Sequence, residues 1–360
     1  MTFHPEDSTG YDGGVRPETV KNLARECGFE LAGIARAEPL DDFERYESWV
    51  ADGMAGEMRY LTDRRAEVRR DARNLLPGAR SVICVGKLYN QPVLPRAEGQ
   101  AIISRYAWGR DYHDVVRAGL EQLAGKLLAI EAFEWKICVD TAPLLERSYA
   151  RQAGLGWIGR NTSLINEPLG SWFFLGELIT SLDLEPGSPA PDRCGTCTRC
   201  VEACPTRAIV PSGEHWTIDA RRCIAYLNIE LRGSIPEEHR ASMGAHVFGC
   251  DICQEMCPWN SRAPETGDPA FEPEHEPSPA LETLAYLSEH EFRARFQNSP
   301  VTRPKYDGFL RNVAVAMGAT GLKRFREPLE HLTRHPSGVV AEHARWALSE
   351  LEKCAPHSPV

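Results

Sequence analysis

Eight of the twelve cysteines fall between residues 194 and 257, and their spacing constrains this chain more than any other feature. Cys194, Cys197, Cys200 and Cys204, followed by Pro205, match C-x2-C-x2-C-x3-C-P in full. Cys250, Cys253 and Cys257 precede Pro258, and Cys223 stands upstream as an eighth ligand. A run of this kind wraps three thiolates round one cubane and sends the fourth to a neighbouring cluster. The spacing therefore predicts two 4Fe–4S clusters. Cluster A takes Cys194, Cys197, Cys200 and Cys257, and cluster B takes Cys204, Cys223, Cys250 and Cys253. Zinc ribbons favour two separated C-x2-C pairs over such crowding, and disulfides need an oxidising compartment. The opening segment, MTFHPEDSTGYDGG, has neither the basic nor the apolar region of an export signal, so a cytoplasmic home is expected. Cys84 and Cys138 lie in apolar runs and read as small buried hydrophobes, while Cys27 and Cys354 stand alone.

A chain of 360 residues exceeds what two clusters need, and its punctuation divides it into three. The stretch EPGSPAPDR leads into the cysteine module, and a second proline-rich stretch, Pro264 to Pro279, leads out of it. The expected domains are 1–185, 186–262 and 263–360. In the first, Pro17 to Glu26 reads as a helix stopped at Gly28, Ser81 to Val85 as a buried strand, and Asp114 to Phe133 as a helix. Trp135 to Val139 then reads as a strand ending in Asp140, and Pro143 to Ala153 as a helix. The fold class is thus multidomain α+β or α/β, with a ferredoxin-like module and a helical tail. In the tail, FLRNVAVAMG from Phe309 resembles VAEHARWALSEL from Val340 with a period of 31, which suits stacked HEAT-like repeats.

The net charge of −10 argues against indiscriminate nucleic-acid binding but permits a local basic patch. No stretch approaches the ~18 apolar residues of a membrane span. Gly154, Gly156 and Gly159 spell G-x-G-x-x-G, but a helix precedes them where a dinucleotide fold needs a strand. They remain a turn that would let backbone approach a large ligand closely.

Several long segments resemble the epoxyqueuosine reductase family, in order from about residue 17 to residue 350. They are RYAWGRDYHD, VDTAPLLERSYARQAGLGWIGRNTSLIN, GSWFFLGEL, CGTCTRCVEACPTRAI, RRCIAYLNIELRG and FGCDICQEMCPWN. The resemblance implies the last step of queuosine biosynthesis: reduction of an epoxide at the wobble position of tRNA, using cobalamin and two 4Fe–4S clusters. It implies that Asp140 is the proton donor, and that cobalamin meets Arg69, Ser104, Asp140, Leu164, Leu175, Ala225 and Asp251. The D-x-H-x-x-G signature of many cobalamin proteins is absent, since Asp111-Tyr112-His113 lacks the glycine, and the family does without it.

From position alone, Asp140 or Thr141 serves equally well as a helix cap. If Asp140 is the donor, burial is expected to raise its pKa and keep it protonated. Partners implied are tRNA and an electron-donor protein, with the enzyme a monomer and no membrane involved. Arg105, Arg110, Arg147, Arg151 and Arg160, with Arg303, Lys305, Arg311, Lys323, Arg324 and Arg326 in the tail, are candidates for tRNA phosphates, and Tyr106 or Trp108 for a base. On this view the tail beyond residue 280 is a tRNA handle that the clusters do not need. Two other readings fit less well. A reductive dehalogenase typically carries a twin-arginine signal, and the arginine pairs here are internal. An electron-transfer subunit would have no use for a carboxylate such as Asp140 in a pocket.

Overall fold

The computed structural model describes residues 14–93 and 95–353; the rest of the opening segment and Cys354 lie outside the described residues. Four strands form the central layer: β1 (Leu31–Arg36), β2 (Ser81–Leu88), β3 (Trp135–Cys138) and β4 (Phe173–Thr180), in spatial order β1-β2-β4-β3. All three pairings are antiparallel. Strands and helices alternate along the chain as expected, yet the layer is α+β and not a parallel sheet. The rule that places ligands at the strand ends of parallel sheets therefore does not govern Asp140.

Every residue of β2 is buried, which is why it reads as an unbroken apolar run. Helix α1 (Pro17–Glu26) starts on its proline and turns Val20 and Ala24 inward. Helix α2 (Tyr112–Leu128) covers one face of the sheet, packing Val116, Leu120, Leu123 and Leu127 on Ile83, Val85, Ile137 and Leu178. It begins before the expected Asp114 because the Asp111 side chain accepts the His113 N–H and caps it. It ends before the expected Phe133 because the chain must turn to pair Trp135 with Thr180, leaving Ile130 47% exposed. Helix α3 (Glu146–Gln152) covers the opposite face, setting Tyr149 and Ala150 against Val82, Cys84, Cys138 and Ile179. It starts three residues after the expected Pro143, because residues 140–144 form a bent loop. The G-x-G-x-x-G turn packs on the protein's own backbone: a Cβ on Gly156 would lie 2.1 Å from the Ile165 carbonyl oxygen.

The cysteine module contains α4 (Ile224–Ile229) and a short strand, His246–Phe248, that pairs in parallel with Ile102–Ile103 of the preceding part. The stretch 264–279 is a strap and not a free spacer. Thr266 N–H bonds the Asn90 carbonyl at 2.8 Å, Ala101 N–H bonds that of Pro279 at 2.8 Å, and Phe271 packs on Phe174 with centroids 5.3 Å apart. Its proline and glycine content suits an extended path, and the buried Phe271 ties it down. In the tail, α5 (Lys305–Thr320) and α6 (Gly338–Lys353) carry the two repeated segments. They touch closely: a Cβ on Gly318 would lie 2.7 Å from Ala347 Cβ. Both share one core with α4 and the strand His246–Phe248. Among the described residues no helix is long and apolar enough to cross a membrane.

Candidate active site

The cysteines gather across their two sequence runs. Burial, then Cys257, Cys194 and Cys197, push the Cys200 thiol up to about 11. Cys257 is raised by burial and by Cys194 and Cys197 of the first run. Cys250 is raised by burial and by Cys223 and Cys204, and Cys253 by burial, Cys250 and Cys223. Cys204 thus lies near Cys223 and Cys250, and Cys257 near Cys194 and Cys197, a placement compatible with the exchange read from the spacing. Cys253 also feels Cys200, so the two quartets are neighbours.

Crowded thiols resist ionisation until a cationic core neutralises them, and an iron–sulfur cubane supplies one. Among the described residues no three His, Cys, Asp or Glu side chains converge on a site for a single metal ion. A further observation fits a cluster. The Trp157 indole N–H is buried without a hydrogen-bond partner, in the apolar group formed with Ile165, Trp259, Cys194 and Cys257. Cluster sulfur is a natural acceptor for such a donor. Already, the Ala208 N–H points at Cys204 Sγ from 3.2 Å.

Asp140 follows β3, and its side chain is 53% exposed. His113, in the first turn of α2, bridges two carboxylates: Nδ1 lies 2.7 Å from Asp111 Oδ1 and Nε2 lies 3.2 Å from Asp140 Oδ2. Tyr112 stacks on the imidazole at 4.1 Å. Burial depresses the imidazolium, but the hydrogen bonds and charges of Asp111 and Asp140 outweigh it and raise His113 to about 9. Burial likewise pushes Asp140 up, but the His113 bond and charge prevail and hold it below the usual carboxylate range.

This corrects the expectation of a protonated Asp140. At neutral pH the carboxyl is ionised and the proton sits on His113. Neither partner follows from the motif around Asp140, because both lie on α2, far away in sequence. The available signal was the Asp-x-His spacing of Asp111 and His113 at a helix start. Facing this trio are Tyr106, Tyr60 and Arg303, the last paired with Glu230 at 2.7 Å and lying 5.6 Å from the Tyr60 ring centroid.

The residues carried over for cobalamin fall into two groups. Leu164 and Leu175 share an apolar cluster with Ala72, Ala142 and Leu144, the last two from the Asp140 loop. Arg69, one turn before Ala72, is only 5% exposed, and its guanidinium reaches the Arg65 carbonyl and the Tyr46 ring but no carboxylate. A buried cation of this kind suits a ligand rich in acceptor oxygens, as the amide side chains of a corrinoid are. The second group lies at cluster B. The Ser104 hydroxyl hydrogen-bonds the Asp251 carboxylate, the Arg105 N–H donates to its other oxygen at 2.8 Å, and Ala225 packs beside Cys223 and Cys250. Burial raises Asp251 above the usual range despite these bonds. Tyr106 feels both Asp140 and Asp251, which places it between the two groups.

Several basic residues proposed for tRNA have other work. Arg311 is fully buried and donates to the carbonyls of Leu227, Leu231 and Gly233, so it reaches no phosphate. Arg105 lies over Trp172 and pairs with Glu255, Arg151 with Asp42, Arg324 with Glu282 and Arg326 with Glu330. Arg110, Arg147, Arg160, Lys305 and Lys323 make no ion pair among the described residues. Trp108 is core, 7% exposed, with its N–H on the Ile103 carbonyl.

A redox module set near an acid–imidazole trio defines an iron–sulfur oxidoreductase. Comparison with known proteins agrees. Residues 193–260 match the 4Fe-4S double cluster binding domain, and residues 69–141 match "Epoxyqueuosine reductase QueG, DUF1730". The chain is 42% identical over 340 residues to epoxyqueuosine reductase of Xanthomonas campestris, covering 92% of this chain and 95% of the relative. It is 46% identical over 311 residues to that of Gloeobacter violaceus, covering 84% and 96%. The chain therefore belongs to the epoxyqueuosine reductase family, and it carries two 4Fe–4S clusters. A crystal structure of epoxyqueuosine reductase with an epoxyqueuosine-modified tRNA-Tyr stem loop superposes with a TM-score of 0.85 at 29% identity, covering 93% of this chain and 89% of that one. The Bacillus subtilis enzyme, solved with its catalytic aspartate loop swung out of the active site, gives 0.83 at 29% identity, covering 93% and 90%.

Proposed function

We propose that this chain reduces the epoxide of epoxyqueuosine at the wobble position of tRNA to the alkene of queuosine, the last step of queuosine biosynthesis. The observation that carries this reading is the Asp111–His113–Asp140 trio, with Tyr106 near both Asp140 and Asp251, in a chain of this family. Cluster A is held by Cys194, Cys197, Cys200 and Cys257, and cluster B by Cys204, Cys223, Cys250 and Cys253. Arg69, Ser104, Asp140, Leu164, Leu175, Ala225 and Asp251 line the cobalamin pocket. When bound, cobalamin supplies low-valent cobalt as the electron source for the epoxide.

Loss of the epoxide oxygen as water takes two electrons and two protons. Asp140 presents one proton to that oxygen, drawn from His113 Nε2. Asp111 keeps Nδ1 protonated and fixes the tautomer through the transfer. The second proton comes from solvent, to which the Asp140 side chain is 53% exposed. A donor protein would supply the electrons, and the two clusters, with Cys250 of cluster B next to Asp251 and Tyr106 near that carboxyl, would carry them once bound. The three parts 1–185, 186–262 and 263–360 act as a cytoplasmic monomer, with α5 and α6 a HEAT-like pair. Arg110, Arg147, Arg160, Lys305 and Lys323 remain for tRNA phosphates.

Asp140→Asn tests the role of the carboxyl, because Asn keeps the shape and the capping ability but delivers no carboxylic proton. In single turnover on epoxyqueuosine-containing tRNA, started from chemically reduced enzyme, the rate should fall by roughly 10²–10⁴-fold while iron and corrinoid content stay unchanged. Turnover within a few-fold of wild type would return Asp140 to a purely structural role.

A further inference from the structure

Asp140 sits at φ 50°, in the left-handed region that non-glycine residues avoid. The Thr141 N–H bonds the Val139 carbonyl at 2.5 Å, closing a three-residue γ-turn round it, a rare and strained form. Such a turn persists only where its surroundings hold it. The holding contact is visible. The Asp140 N–H donates to Glu146 Oε1 at 2.5 Å, and Glu146 is the first residue of α3, anchored on the sheet. Without that acceptor, the turn has no bond from outside the loop at its central N–H.

Behind Glu146 lies an unusual charge. Glu177 of β4 is fully buried, with the Glu146 carboxyl as its one polar side-chain neighbour among the described residues. It stands in register between Cys84 of β2 and Cys138 of β3, both buried thiols. Burial, then the Glu146 charge, drive Glu177 well above the usual range, so it keeps its proton. Two adjacent carboxylates in a dry setting do not both ionise. With Glu177 neutral, Glu146, the less buried of the two, is the one able to carry charge and accept the N–H. Its own pKa is pushed up to about 7 by burial and by Asp140. The other groups facing Glu146 are Arg147 of α3, Tyr112 of α2, and Cys84 and Cys138.

We propose that Glu146 is a positioning residue, a latch whose side-chain oxygen holds the Asp140 turn in its left-handed form and so keeps the Asp140 carboxylate on His113. The proposal rests on the reading of Asp140 as proton carrier, but its geometry is testable separately. The Bacillus subtilis relative, solved with its catalytic aspartate loop swung out, has such a loop in another position, and here Glu146 is the contact that would have to break.

The test compares wild type, Glu146→Ala and Glu146→Gln as cluster-loaded protein. The imidazole of His113, assigned by its loss in His113→Gln, is titrated by NMR, and single-turnover epoxide reduction is measured in parallel. Glu146→Ala should lower the His113 pKa by a unit or more as Asp140 leaves, and slow turnover at least tenfold. Glu146→Gln, whose amide oxygen still accepts the N–H, should restore both to within a few-fold. An unchanged His113 titration in Glu146→Ala overturns the latch whatever the rate does. A lowered His113 pKa with an unchanged rate supports the latch and overturns Asp140 as proton carrier. If Glu146→Ala does not load its clusters, Glu146→Asp is read in its place, because it keeps the charge but falls a methylene short. The expectations and the overturning result are the same.

Discussion

His113 carries the proton that the sequence led one to place on Asp140. The apolar run of β3 made the position of Asp140 legible, because a carboxylate ending such a run has little company from its own strand. Its partner was not legible, because it arrives from the start of α2 and only folding brings the two together. The pairing has a pH signature. His113 is raised from 6.5 to about 9, so its stabilising contribution is full below pH 6.5 and is lost as pH rises through about 9. Asp140 is lowered, so its contribution is present above its ordinary 3.8 and is lost only as pH falls through its depressed value. Wild type should therefore lose stability relative to His113→Gln between pH 6.5 and 9. With Asp140 half exposed, solvent screening leaves about 1 kcal/mol of that effect. Anaerobic urea midpoints across this range measure it, and parallel pH curves for the two proteins would contradict the assignment.

At the scale of elements, α5 acts as a clamp on cluster B. Arg311 donates to the carbonyls at and beyond the end of α4, and the Asn312 amide N–H donates to the Asn228 and Val247 carbonyls. Asn228 in turn bonds both the N–H and the carbonyl of Gly249. Cys223 precedes α4 and Cys250 follows Gly249, so two ligands of one cluster hang from one pair of side chains. Burial lowers the Arg311 pKa to about 10, and the carbonyls facing it compensate part of the cost of a dry charge. The helical periodicity of α5 was plain in the sequence, but an arginine in it reads by default as a solvated charge. Arg311→Met should strand several buried carbonyls, each costing about 1–3 kcal/mol. We expect cluster B to be lost first, with iron falling from about eight to about four per chain and cluster A still visible by EPR. Full iron content in that variant would remove the clamp.

For the whole molecule, the tail is part of the redox machine as well as a candidate surface for tRNA. Deleting residues beyond 280 would take away α5 and expose the core shared by α4, the strand His246–Phe248 and α6. The expectation that clusters survive such a truncation is therefore reversed: the truncated chain should hold at most cluster A. Iron and sulfide analysis after anaerobic reconstitution decides the matter, and two intact clusters would restore the tail to a separate handle. The cysteine module was legible because ligand spacing is local chemistry. The strap over the first part and the shared core were not, because proline-rich composition says where a chain extends and not what it lies against.

The position of Arg311 also sets an order of events during synthesis. A ribosome makes every cysteine ligand before it makes the helix that fixes the second quartet. A nascent chain can thus display all eight thiols while the frame for half of them is still missing. If Arg311→Met loses cluster B as expected, completing that cluster is a step for the finished chain, and an interrupted product should hold iron at cluster A alone.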